Sequence, residues 1–222
     1  LTMFFNRFTA SVIAPGYTGI YWTDGKGESR ISGNQLTGLK DATGIYLVSI
    51  YATDEEPVTV DNNFIQTWGT QNYHSLGLGS CTQVDVVFNS VHNTATHAES
   101  KAFYNYYGSE NQVQNNLFIH SGTGYAYYNY YTSGILNSDY NDLYTAGANL
   151  GYWYGNIANI NAWRATVKKD SHSISIKPRF ISDSDLHLTD VALDKTAIPF
   201  AGVQADIDGE KRDPVKPDMG AD

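Results

Sequence analysis

Apolar residues recur in this chain at positions fixed relative to an asparagine. The segments Phe5-Asn6-Arg7-Phe8, Gly33-Asn34-Gln35-Leu36, Asn62-Asn63-Phe64-Ile65, Phe88-Asn89-Ser90-Val91, Asn115-Asn116-Leu117-Phe118 and Tyr140-Asn141-Asp142-Leu143 align, with asparagine-to-asparagine steps of 28, 29, 26, 27 and 25 residues. Two residues after the asparagine stand Phe8, Leu36, Ile65, Val91, Phe118 and Leu143. Three residues before it stand Met3, Ile31, Val60, Val86, Val113 and then Ser138. Side chains alternate across a strand with period two, so these two columns are inward positions of strands. The column directly after the asparagine (Arg7, Gln35, Phe64, Ser90, Leu117, Asp142) is mixed, as an outward or corner position should be. The segments are rich in Val, Ile, Thr, Tyr and Gly, which suits strands rather than helical repeats.

A step in the mid-twenties is one coil of a three-strand solenoid. The predicted fold is all-β: a right-handed single-stranded parallel β-helix of about six rungs, closed by an irregular C-terminal cap. The rungs occupy residues 1–156, and the last partial rung and cap occupy 157–222. Asn6, Asn34, Asn63, Asn89, Asn116 and Asn141 form a structural column. Asparagine tolerates the left-handed bend at a corner, and stacked amides can hydrogen-bond as a ladder.

A further strand follows each asparagine: Gly19–Trp22, Gly44–Val48, Ser75–Leu78, Phe103–Tyr107, Tyr127–Tyr131 and Tyr152–Tyr154. Aligned in step, Leu76, Phe103, Tyr127 and Tyr152 make one column, and Gly77, Tyr104, Tyr128 and Trp153 the next. Burying two leucines outweighs burying one glycine, so the Leu76 column is expected inward. Tyr104, Tyr128 and Trp153 are then expected outward as an aromatic strip, with Glu99 and Lys101 at its edge. The pattern stops near residue 157. Asn161–Thr166 reads as a short helix, and the Pro-, Asp- and Lys-rich stretch from Pro178 as a polar cover over the last coil.

Composition narrows the function. Charged residues make up only 17% of the chain, against 17 Tyr and 4 Trp, and the net charge is −9. Such a chain has enough apolar surface to fold and repels nucleic acid and anionic membranes, so no nucleic-acid partner and no membrane insertion are expected. It also disfavours unassisted polyuronate binding. Cys81 stands alone and reads as a buried packing residue. The chain opens mid-strand at Leu1, and is expected to be a piece of a longer protein.

The rung pattern resembles the right-handed β-helix repeats of secreted bacterial proteins of the polysaccharide-lyase-like superfamily. The tail is similar to a C-terminal signature seen there: Leu186-His187-Leu188, Ala197-Ile198-Pro199, Asp206-Ile207-Asp208-Gly209 with Arg212, and Asp218-Met219-Gly220-Ala221. The resemblance implies a secreted or cell-surface setting. It leaves function open, because the family includes lyases, hydrolases and adhesins.

A hydrolase needs two carboxylates flanking a scissile bond, and the chain has no Asp-Asp pair and no His-Gly motif. A lyase needs a base and a cation to neutralise a uronate. The one compact polar group in the rungs is His97, Glu99 and Lys101. No catalytic residue is assigned. Asp206–Gly209 resembles a calcium loop but places Gln204 and Val215 at the first and twelfth ligand positions, so no cofactor is called for and a calcium ion stays open. Three functions remain: a module binding polysaccharide or another glycan through Tyr104, Tyr128, Trp153, Glu99 and Lys101; a polysaccharide lyase or glycoside hydrolase; and a passive stalk.

Overall fold

The structure is a computed structural model and describes residues 2–4, 7–9, 16–189 and 191–222. Three parallel sheets wind into a β-solenoid of about five turns. The first sheet stacks Thr2–Phe4, Arg30–Ser32, Val58–Asp61, Val84–Val87, Asn111–Gln114 and Ile135–Asp139. The second stacks Arg7–Thr9, Gln35–Lys40, Phe64–Trp68, Ser90–Asn93, Leu117–His120 and Asp142–Thr145. The third stacks Thr18–Thr23, Thr43–Val48, His74–Gly79, Lys101–Asn105, Tyr125–Asn129 and Gly151–Trp153, and ends on the short antiparallel Asn156–Ile157.

The second sheet pairs Arg7 with Gln35, Gln35 with Phe64, Phe64 with Ser90, Ser90 with Leu117 and Leu117 with Asp142, so the coil repeat is the asparagine spacing of the sequence. Leu36, Ile65, Val91, Phe118 and Leu143 are fully buried, as are Ile31, Val60, Val86 and Val113 on the first sheet. Each such side chain contributes roughly 1.5–3 kcal/mol. Toward the C-terminal end the core turns aromatic: Phe103 packs on Phe118 and Tyr127, each at 4.8 Å, and Tyr127 meets Trp163 at 5.1 Å.

The amide ladder runs from Asn34 through Asn63, Asn89 and Asn116 to Asn141. Each Nδ2 donates to the next Oδ1 at 2.9–3.1 Å. That Oδ1 also accepts the previous asparagine's backbone N–H. Asn6 lies outside the described residues. The left-handed backbone sits one residue earlier than expected, at Gly33, Asn62, Phe88, Asn115 and Tyr140. The ladder asparagines are therefore selected for hydrogen bonding in a fully buried column and not for the bend. Asn141 ends the ladder on the buried Asp170 and on Ser138, and its backbone N–H donates to Ser173 Oγ.

The expected helix forms over Ile160–Val167, started by the Asn159 side chain accepting the Ala162 N–H and ended by left-handed Lys168. Its Trp163 is fully buried over the last coil, packs against Trp153 and donates its indole N–H to Asp170 at 2.8 Å. This helix covers the end of the stack.

The tail from Pro178 does not cover that end, contrary to expectation. It runs along the outer face of the second sheet and its adjoining corner. Leu193, Ala197, Val203 and Met219 pack on Val87, Phe88, Leu117 and Ile119, while Leu186, Ile207 and Ala221 pack on Phe64. Phe64, Ser90, Leu117 and Asp142 do point outward, but the tail buries the first three, and Ile174 and Ile176 just before it cover Asp142. The left-handed asparagines hold it: Asn62 Nδ2 donates to the Ala205 carbonyl at 2.7 Å, and Asn115 exchanges two hydrogen bonds with Ile198. Arg212 donates to Asn62 Oδ1 at 2.8 Å and to the Gly220 carbonyl at 2.9 Å, with its guanidinium 4.1 Å above the Phe88 ring.

Candidate functional site

The outward column of the third sheet begins with Tyr21 and Tyr46, passes Gly77, and continues through Tyr104, Tyr128 and Tyr152. Glycine interrupts it without opening a gap. A Cβ at Gly77 would meet the His74 ring at 2.4 Å, so the imidazole occupies the missing position. Ring centroids then follow one another along the stack: Tyr21–Tyr46 6.1 Å, Tyr46–His74 4.6 Å, His74–Tyr104 5.0 Å, Tyr104–Tyr128 5.8 Å and Tyr128–Tyr152 4.4 Å.

Tyr104 and Tyr128 are where the sequence puts them, outward and half-buried. Trp153 is not. Tyr127 pairs with Gly151, a step of 24 residues instead of 25, and this turns Trp153 inward and Tyr152 outward. A Cβ at Gly151 would lie 2.4 Å from the Trp163 ring, so the capping helix requires glycine in that inward column. Trp153 belongs to the core against Tyr127 and Trp163.

A second aromatic row follows the strands. Tyr106, Tyr107, Tyr130 and Tyr131 lie in the bends, with Tyr106–Tyr130 at 5.3 Å and Tyr107–Tyr131 at 3.9 Å. Between the rows, buried Asn105 donates to Asn129 Oδ1 at 2.7 Å. The sequence signal for this surface is the doubled Tyr-Asn-Tyr-Tyr at 104–107 and 128–131. Tyr128 and Tyr152 are 7° from parallel, and Tyr107 and Tyr131 20°. Rings stacked along the coil axis turn their faces to each other and their edges and hydroxyls outward.

Lys101 lies within the strip. Its Nζ is 5.0 Å from the Tyr128 ring and 5.6 Å from the Tyr104 ring, and it donates to Asn72 Oδ1 at 2.8 Å. Burial pulls this amine down to about 8, against the opposing pull of Glu99. Glu99 is exposed, and its backbone N–H donates to His97 Nδ1 at 3.1 Å. Among the described residues the two make no ion pair within 4.0 Å. Burial raises Tyr128 to about 12 and Tyr104 further, and lowers His74 to about 3. At neutral pH these three groups are uncharged, and the strip carries one ammonium and one carboxylate. His92 and His120 are buried and pushed down to about 4, and hydrogen-bond to Ser121 and Ser100.

Among the described residues, the group that could hold a metal lies in the tail. His187, Asp208 and Asp222 bring one ligand atom each within 4.8 Å of one another, and Asp185 hydrogen-bonds the other ring nitrogen of His187. His187 Nε2 already donates to Asp208 at 2.8 Å. In the stretch that resembles a calcium loop, Asp206 accepts the backbone N–H groups of Asp208 and Glu210 as an ordinary turn.

No protein-family model, no curated protein and no solved structure matches this chain.

Proposed function

We propose that the chain is a right-handed β-helix module of a secreted or cell-surface protein, and that it binds a neutral glycan along the aromatic face of its third sheet. The observation that carries this reading is the unbroken ring column from Tyr21 to Tyr152, flanked by Tyr106 and Tyr130, which are 37% and 40% exposed. An aromatic face that stays uncovered among the described residues usually marks a contact. Tyrosine suits a sugar because it offers apolar carbon and a hydroxyl together. The ring edges repeat with each coil, about 4.8 Å apart. A chain of hydroxylated rings lying along the stack axis meets a ring edge at every coil and a tyrosine hydroxyl at every coil but the one where His74 stands in for Gly77. The near-cancellation of Lys101 by Glu99 favours a neutral partner over a polyanion. In the ligand set first read from the sequence, Tyr152 replaces Trp153.

A polysaccharide lyase is the second reading, favoured by Lys101: an amine held down to about 8 is matched to proton abstraction near neutral pH. One experiment separates the two. The protein is applied to an immobilised glycan array and, in parallel, incubated with soluble polysaccharides while reducing ends and unsaturated products are followed. The expected result is retention on a neutral glycan without cleavage. Tyr128→Ala and Tyr152→Ala should each weaken that retention about tenfold with the melting temperature nearly unchanged. Cleavage abolished by Lys101→Met would establish the second reading, and absence of any retained glycan would remove the first.

A further inference from the structure

We propose that Tyr107 and Tyr131 form an oxidative coupling site, at which a peroxide, acting through a haem-type one-electron oxidant, joins two successive coils by a dityrosine bond. The inference is independent of glycan binding and rests on the bends after the third-sheet strands. The two rings are 3.9 Å apart and 20° from parallel, the closest tyrosine pair among the described residues. Tyr106 and Tyr130 pack edge-on against them at 4.8 Å each and hold the pair together. Tyr107 is 42% exposed and Tyr131 half-buried, so an oxidant in solution reaches them. Of the other easily oxidised side chains Cys81, Met219, Trp153 and Trp163 are buried, whereas Trp68 is 42% exposed and Trp22 and Met3 are partly so, and the closeness of the two rings is what favours this pair.

The chemistry balances. Each phenol gives one electron and its hydroxyl proton to the oxidant and becomes a phenoxyl radical with spin on the carbons ortho to oxygen. One carbon–carbon bond forms between the two ortho positions. The hydrogen on each joined carbon then moves to its oxygen and restores both phenols. The peroxide takes up the two electrons and two protons and leaves as two waters.

Position selects this pair over Tyr128 and Tyr152. A biaryl bond needs the two rings to twist against each other. Tyr128 and Tyr152 sit within strands, parallel to 7°, with paired backbone on both coils. Tyr107 and Tyr131 sit in bends: the Tyr107 carbonyl takes a long bond of 3.3 Å from the Cys81 N–H of the neighbouring coil, and the Tyr131 carbonyl takes one of 3.3 Å from Gly134 in its own turn, so the backbone can yield. The neighbouring Tyr107 hydroxyl pushes the Tyr131 phenol up to about 12, so this phenol stays protonated at neutral pH until it is oxidised.

The test treats the purified chain with hydrogen peroxide and a haem peroxidase at low protein concentration and maps the product by proteolysis and mass spectrometry. The expected product is a monomer lighter by two hydrogens, with the peptides carrying Tyr107 and Tyr131 joined and dityrosine fluorescence present. Tyr107→Phe and Tyr131→Phe, which keep the ring stack, should each abolish this product, and Tyr106→Phe should leave it. Coupling mapped to other tyrosines, coupling only between chains, or an undiminished product in Tyr107→Phe would overturn the proposal.

Discussion

The second and third sheets belong to the same coils, yet their outer faces have opposite fates. On the second sheet Phe64, Leu117 and Ile119 point outward and are 0–1% exposed, because the tail lies over them. On the third sheet Tyr21 stays 55% exposed, and among the described residues no segment packs over the column beyond it. The difference is chemical. An outward Phe or Leu costs roughly 1.5–3 kcal/mol if left in water, and a column of them requires a lid. An outward tyrosine keeps its hydroxyl hydrated while its ring packs on the neighbouring coil, so it holds the sheet together without a lid and leaves a surface for a partner.

The lid depends on Arg212, and its loss is the largest effect expected. Arg212 is 9% exposed, and its guanidinium is bonded to Asn62 and to the carbonyls of Gly220, Asp218 and Asp222. Arg212→Ala leaves the buried Asn62 Oδ1 and Gly220 carbonyl without this donor and frees the Phe88 ring, which sits on a left-handed residue and needs packing to hold it. The cost should be about 3–5 kcal/mol. Chemical denaturation measures it, and hydrogen exchange should show the tail released before the third sheet opens.

The ladder beneath both faces comes next. Asn89→Ala removes the acceptor of Asn63 and the donor to Asn116 in a fully buried column, leaving the Asn63 amide and the Asn116 carbonyl without each other's bridge. A loss of about 3 kcal/mol is expected, and it should loosen both sheets together, unlike Arg212→Ala. Equal exchange rates in the two sheets of the variant would sharpen the contrast; loosening confined to one sheet would break it. Smaller still is the double variant Tyr128→Ala with Tyr152→Ala, which removes a stacked pair from an uncovered face and should cost only about 1 kcal/mol by thermal melting.

How much of this contrast was legible in the sequence follows from how local its causes are. The coil repeat is readable because a buried asparagine and its flanking Ile, Val, Leu and Phe recur within each coil. The outward column is readable at Tyr104 and Tyr128, where the strands are five residues long and nearly identical. It fails at Trp153, because the last strand is three residues and its register is set by Trp163 of the capping helix, outside the repeat. The lid is not readable as a lid, because its anchors join Asn62 to Arg212 and Asn115 to Ile198 across 150 and 83 residues of chain. The apolar members of the column after the asparagine, Phe64 and Leu117, were its one local trace.

The smallest effect expected lets pH separate the two faces. His187 in the tail is bonded to Asp185 and Asp208 with Asp222 nearby; burial lowers its pKa, but these carboxylates outweigh burial and leave it raised. Hydrogen bonding to His187 holds Asp185 below its ordinary range. A raised histidine stabilises the fold fully below its unfolded pKa, about 6.5, and that contribution disappears as pH rises through the folded value. A lowered aspartate contributes above its unfolded value and is lost as pH falls through the folded one. The clasp therefore holds best between roughly pH 4 and 6.5 and weakens toward pH 8. The group is partly exposed, so the gain stays under about 1 kcal/mol. His74, His92 and His120 have lowered values and pull the other way, destabilising the whole solenoid as pH falls below about 6.5. The clasp is accordingly read as a difference: the gap in melting temperature between wild type and His187→Gln should be widest near pH 5.5 and shrink by pH 8. Over the same span, hydrogen exchange at 185–188 should quicken in the wild type relative to 125–129. A gap that does not change with pH would mean that His187 serves the lid by packing on Phe64, 4.7 Å away, and not by its charge.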